Sequence, residues 1–114
     1  MPLDIQIRTA KDVTIVDLKG KIILGPESAS LREAIRELLT EGKKKILLNL
    51  GNVSFIDSAG VGTLVASFTT ARAAGGEMKL SKLTQKFRET LQVTRLLTVF
   101  ETYDDEAEAI RRFQ

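Results

Sequence analysis

The stretch Asp57-Ser58-Ala59-Gly60-Val61-Gly62-Thr63 gathers the residues of this chain whose types and spacing suit chemistry. An apolar run, Ile46 to Leu50, precedes it, and Val61, Leu64, Val65, Phe68 and Ala71 follow at helical spacing. A buried strand is therefore expected to deliver a polar turn to the start of a helix. The first N–H groups of a helix lack intrahelical partners and carry partial positive charge, so an anion there is stabilised. A phosphate on Ser58 would add about −1.5 to −2 charges at that place. Asp57 would cap the same helix or orient the Ser58 hydroxyl. Gly60 and Gly62 would leave the surface bare for close approach of a partner, or serve only helix-to-sheet packing. Asp and Ser are also the residues preferred at a plain N-cap, and local chemistry alone favours that simpler role.

Other chemistry is restricted by composition. The 114 residues contain no Cys and no His, which excludes disulfides, thiolate or imidazole metal ligands and a His general base. No metal and no cofactor is expected. A nucleophile elbow needs Gly two residues before the Ser, and Ile56 stands there. A Ser–Lys pairing stays open, but no particular Lys is indicated, so the chain is not read as an enzyme. Gly60-Val61-Gly62 without a following Lys-Ser/Thr is not a phosphate-cradling nucleotide loop.

The elements that must position the turn follow from periodicity. Leu3, Ile5 and Ile7 alternate with polar residues, as in a half-buried strand. Lys11-Asp12 turns into Val13–Leu18, apolar on both faces and suited to a central strand. Lys19-Gly20-Lys21 reads as a turn and Ile22-Ile23-Leu24 as a third short strand. Gly25-Pro26 opens a helix with Leu31, Ile35, Leu38 and Leu39 on one face and Gly42 as its stop. Gly51-Asn52 reads as a turn between Leu50 and Phe55, and Ala74-Gly75-Gly76 ends the second helix. Met78 and Leu80 mark another strand. Thr84 caps a helix with Phe87 and Leu91 inward, and Val93 and Leu96-Leu97 follow it. Val99–Tyr103 is extended, and Asp104 or Asp105 caps a last helix with Ala107, Ile110 and Phe113 inward. A hairpin followed by βαβ crossovers implies an α/β fold with a mixed sheet and helices packed against it.

Length, the 43% hydrophobic and 28% charged fractions, and a net charge of +2 suit one ordinary globular domain over residues 1–114. Nucleic-acid binding would bring a clustered basic face interleaved with aromatics. The one tight basic run, Lys43-Lys44-Lys45, lies in a helix-to-strand loop, so no nucleic-acid partner is expected. The longest uncharged run, Ser58 to Ala71, is short of the roughly 20 apolar residues that span a bilayer. No membrane insertion is expected, and charged residues at the N-terminus argue against a secretory signal. The protein reads as cytoplasmic.

The segment Asn52-Val53-Ser54-Phe55-Ile56-Asp57-Ser58-Ala59-Gly60-Val61-Gly62-Thr63-Leu64 resembles the signature of the STAS family, best known from bacterial anti-sigma-factor antagonists. Val16–Gly20, Gly75–Leu80 and Leu96 through Ala107 resemble further parts of that family, so nearly the whole chain is covered. The resemblance implies a single-domain STAS-like fold with four to five strands and about four helices. It further implies that Ser58 is phosphorylated by a serine-kinase anti-sigma factor, and that the unphosphorylated protein binds that kinase and frees a sigma factor. A metal-dependent serine phosphatase would reset the switch. Asp57, Ser58, Ala59, Gly60, Gly62 and Thr63 are then the switch loop and partner-binding residues, in a monomer or weak dimer. One position departs from the family's usual pattern: Ile23 stands where antagonists usually carry an Asp. The other role open to such a domain is as a scaffold or accessory subunit of a stressosome-like or lipid-transport assembly.

Overall fold

A computed structural model describes residues 3–93 and 99–113 of the chain. The element order is β1 (Asp4–Ala10), β2 (Val13–Ile22), α1 (Pro26–Thr40), β3 (Lys45–Ile56), α2 (Ser58–Ala73), β4 (Glu77–Ser81), α3 (Gln85–Val93), β5 (Thr102–Tyr103) and α4 (Glu106–Arg111). The five strands lie side by side in the order of the sequence. β1 runs antiparallel to β2, and every later neighbour pair is parallel, so the sheet is mixed as the α/β reading expects.

The two faces of the sheet differ in depth. On one, Val16, Leu18, Ile46, Leu48, Met78 and Leu80 meet Leu31 and Ile35 of α1, Leu64 of α2 and Phe87 and Leu91 of α3. These include the helix positions that the 3.6-residue spacing selects. On the other face, among the described residues, α4 supplies the cover. Ala109, Ile110 and Phe113 pack on Val13, Ile15 and Leu47. Ala107, expected inward, is exposed, and Ala109 takes the buried place.

Two expected turns turn out to be strand. Lys19-Gly20-Lys21 is an irregularity inside β2, where the register against β3 shifts and Gly20 takes φ 119°, and Ile22 is the last residue of that same strand. There is accordingly no separate third strand at Ile22–Leu24. Gly51-Asn52 also stays extended within β3, with the Gly51 N–H bonded to the Asn49 side chain at 3.0 Å. The reason is shared. β2 pairs with β3 at Lys19, Gly20 and Lys21 themselves and on both sides of Leu50-Gly51, which fall at a register shift, so the parallel pairing carries the chain through residues that are turn-formers locally. Leu96-Leu97 lies outside the described residues.

Helix ends are set by local chemistry. α1 and α2 both close in Schellman motifs. The Lys43 N–H reaches the Leu38 carbonyl at 2.9 Å with Gly42 left-handed, and the Gly76 N–H reaches that of Ala71 at 2.8 Å with Gly75 left-handed. Thr84 Oγ1 accepts from the Phe87 N–H at 3.2 Å, as expected for the cap of α3.

Candidate functional site: the turn between β3 and α2

The parallel register sets Ile22 beside Ile56, so the neighbouring strands β2 and β3 finish side by side at their C-terminal ends. The chain leaves β3 at Asp57, whose extended backbone makes it the N-cap of α2, and Ser58 is the first helical residue. The Asp57 carboxylate is divided between two elements. One oxygen, Oδ1, accepts from the Gly60 N–H at 2.7 Å and caps the helix. The other, Oδ2, accepts from the Leu24 N–H at 3.1 Å, in the loop between β2 and α1. The Asp57 N–H in turn donates to the Ile22 carbonyl at 3.3 Å. Bonds from Gly60 first and Leu24 second hold this carboxyl below its ordinary pKa. Asp57 is thus an ionised bracket, not a proton acceptor awaiting work.

The two glycines serve different ends. A Cβ on Gly60 would sit 2.0 Å from the Ile22 carbonyl oxygen and 2.8 Å from Ile56 Cγ1, so this glycine lets α2 press onto the end of β2. A Cβ on Gly62 would meet nothing within 4 Å, so that position is bare surface. Ser58 is exposed, and among the described residues its hydroxyl has no hydrogen-bond partner. Ala59 is half-buried. Thr63, named with the switch loop, is only 2% exposed, and its Oγ1 donates to the Ala59 carbonyl at 3.1 Å. Gly60 and Thr63 therefore shape the turn from inside, while Ser58 and Gly62 face outward.

Two residues that sequence reasoning did not single out share this end of the molecule. Leu24 is 77% exposed although its backbone is fixed by Asp57, and Phe55 is 43% exposed with Lys86 Nζ 5.6 Å from its ring centre. Ile23 is half-buried in the same loop, its carbonyl accepting from Ser28 Oγ at 2.7 Å. Leu24 could have been found only by knowing that β2 stops at Ile22. A cleft beside Phe55, between the end of β3 and α3, holds about 20 Å³, room for one water. Among the described residues no three acidic side chains are grouped to hold a metal ion, and no helix is long and apolar enough to cross a membrane.

Residues 4–109 match the STAS domain family. The chain belongs to that family. This STAS domain is 24% identical over 114 residues to the anti-sigma F factor antagonist of Paenibacillus polymyxa, spanning 100% of this chain and 97% of the relative. Its fold superposes on a crystal structure of a putative anti-sigma factor antagonist from Thermotoga maritima with a TM-score of 0.87 at 24% identity, covering 96% and 93% of the two chains. The Bacillus cell fate determinant SpoIIAA, solved in its phosphorylated form, gives 0.74 at 23% identity and covers 97% and 100%. Structural likeness at these identities establishes the five-stranded STAS fold.

Proposed function

We propose that this STAS domain is an anti-sigma-factor antagonist whose grip on a serine-kinase anti-sigma factor is switched by phosphorylation of Ser58. One observation carries the reading: an exposed, unbonded serine hydroxyl stands at the first residue of α2, on a turn that Asp57 pins to the β2–α1 loop. The full-length similarity to a protein named as an antagonist supports it, as does the SpoIIAA structure in a phosphorylated form. The protein then acts as a binding module in the cytoplasm, where its targets are, and performs no catalysis itself.

The switch has a direct physical form. Ser58 Oγ attacks the γ-phosphorus of ATP held by the kinase. The bond to ADP breaks, and the hydroxyl proton leaves to a base on the kinase, because both Asp57 oxygens are already engaged by N–H groups. The product phosphate gains about 0.3–1 kcal/mol from the helix terminus. Burying it unpaired in an interface costs several kcal/mol, and about 3 kcal/mol is roughly a hundredfold in affinity. Phosphorylation therefore releases the partner while leaving the helix intact, and a metal-dependent serine phosphatase restores binding by hydrolysis. Leu24 and Phe55 supply apolar contact beside the switch, at the loop where Ile23 replaces the usual acidic residue.

The test uses the host's serine-kinase anti-sigma factors. Incubation with the cognate kinase and ATP should label Ser58 by phosphosite mapping, and Ser58→Ala should abolish the label. Ser58→Asp should keep its thermal midpoint and lose at least about tenfold in partner affinity by titration calorimetry. Wild-type affinity in that variant would end the switch reading.

A further inference from the structure

α1 and α2 pack side by side over the sheet, and a groove of about 200 Å³ runs between them, away from the Ser58 turn. Arg32, Ile35 and Arg36 of α1 line one side, and Ala66, Ser67 and Thr70 of α2 line the other. Arg32 and Arg36 are one helical turn apart, so their guanidinium groups rise from the same face. Among the described residues Arg32 makes no ion pair or hydrogen bond. Arg36, among the same residues, meets Glu33 alone, at 3.3 Å, with both side chains more than half exposed. Such a surface pair is worth little and yields to a better anion.

Ser67 is the second observation. It is 3% exposed, and among the described residues its Oγ has no hydrogen-bond partner. A mid-helix serine normally bonds back to the carbonyl four residues earlier, here that of Thr63, but this one does not. A buried, unpaired hydroxyl is costly, and each one in a folded protein calls for an explanation such as strain, a bound water or a bound ion. Having no bond to surrender, the side chain can turn about χ1 into the groove for little more than a rotamer preference.

We propose that this groove is a phosphate-binding site that takes free phosphate or the phosphoryl end of a phosphate monoester. Arg32 and Arg36 grip two oxygens through their planar N–H forks, a geometry matched to phosphate. Ser67 donates to a third oxygen, and Ile35 and Ala66 offer an apolar wall to the organic part of an ester. The site is independent of the sigma-factor reading, since it uses neither Ser58 nor Asp57.

Amide NMR spectra of the full chain, titrated with sodium phosphate against sodium chloride at matched ionic strength, test this directly. Phosphate should produce saturable shifts centred on residues 32–36 and 66–70, and chloride should not. Arg32→Ala combined with Arg36→Ala should weaken binding at least about tenfold, and Ser67→Ala about three- to tenfold with the thermal midpoint unchanged or raised. A second titration with phenyl phosphate separates the sources. Tighter binding than phosphate identifies a monoester as the ligand, and equal binding identifies free phosphate. Shifts centred elsewhere, an equal response to chloride, or undiminished affinity in Ser67→Ala would each overturn the site.

Discussion

Asp57 at the start of α2 and Asp105 at the start of α4 hold the same place in their helices and meet different neighbours. Each has extended backbone, and each offers a carboxylate oxygen to an N–H of the first turn, at 2.7 Å from Gly60 and 3.1 Å from Ala107. Among the described residues, the Asp105 side chain bonds no further than its own turn. The second oxygen of Asp57 crosses to the Leu24 N–H, and Gly60 lies against the Ile22 carbonyl, so this helix start is bolted to the end of β2. Beside Asp57 stands a free serine hydroxyl, whereas beside Asp105 stands Glu106, which pairs with Arg8. Cap chemistry alone treats the two helix starts alike. The reach of the Asp57 carboxylate itself to the β2–α1 loop separates them, because it fixes the exposed Ser58 relative to that loop.

Gly60→Ala should break the comparison hardest. The new methyl would meet backbone at 2.0 Å, and a strand end cannot move aside as a flexible side chain can. A loss of about 3 kcal/mol or more in urea unfolding is expected, with α2 displaced from β2. The residue at the same offset in α4 is Glu108, a surface side chain, and Glu108→Ala should change stability by no more than about 0.5 kcal/mol. Equal, small effects of the two substitutions would mean that the Ser58 turn is not held by close packing.

Removing the caps separates local from tertiary attachment. Asp105→Ala should cost about 1 kcal/mol, the ordinary worth of an N-cap, in a helix of only six residues. Asp57→Ala should cost clearly more, since two N–H groups on two elements lose their acceptor together. Amide exchange gives the sharper view. Asp57→Ala should lower protection at both Gly60 and Leu24, while Asp57→Asn, which keeps one acceptor oxygen, should retain the cap and lose protection mainly at Leu24. Unchanged exchange at Leu24 in both variants would reduce Asp57 to a cap like Asp105.

Much of this contrast lies beyond what a sequence displays. Leu31, Ile35, Leu38 and Leu39, or Phe87 and Leu91, are legible because one helical period selects them and burial follows. Both caps were equally legible, since Asp before a helical pattern has one obvious use. The long strands were not, because the glycines at 20 and 51 signal turns locally while pairing of β2 with β3, at Gly20 and on both sides of Gly51, carries the strands through. That error hid Leu24, which reads as the last residue of a short third strand and in fact stands in solvent past the end of β2. Thr63 is named with the partner-binding residues through the family resemblance, yet its hydroxyl is bonded to the Ala59 carbonyl and buried. The difference between Gly60 and Gly62 was invisible for the same reason, because it depends on where the Ile22 carbonyl lies.

Gly62→Ala is the mildest of these changes and tests the outward half of the turn. The site is exposed helix with no atom within 4 Å of a new Cβ, so nothing opposes the methyl. Alanine exceeds glycine in helix propensity and restricts the unfolded chain, so stability should rise by about 0.5–1 kcal/mol. If that face is a contact surface, partner affinity should fall severalfold in the same variant, because a methyl then occupies space that the partner's backbone needs. Higher stability with lost affinity would mark Gly62 as kept bare for approach from outside. Higher stability with full affinity would move the contact surface off Gly62 and onto Ser58, Leu24 and Phe55.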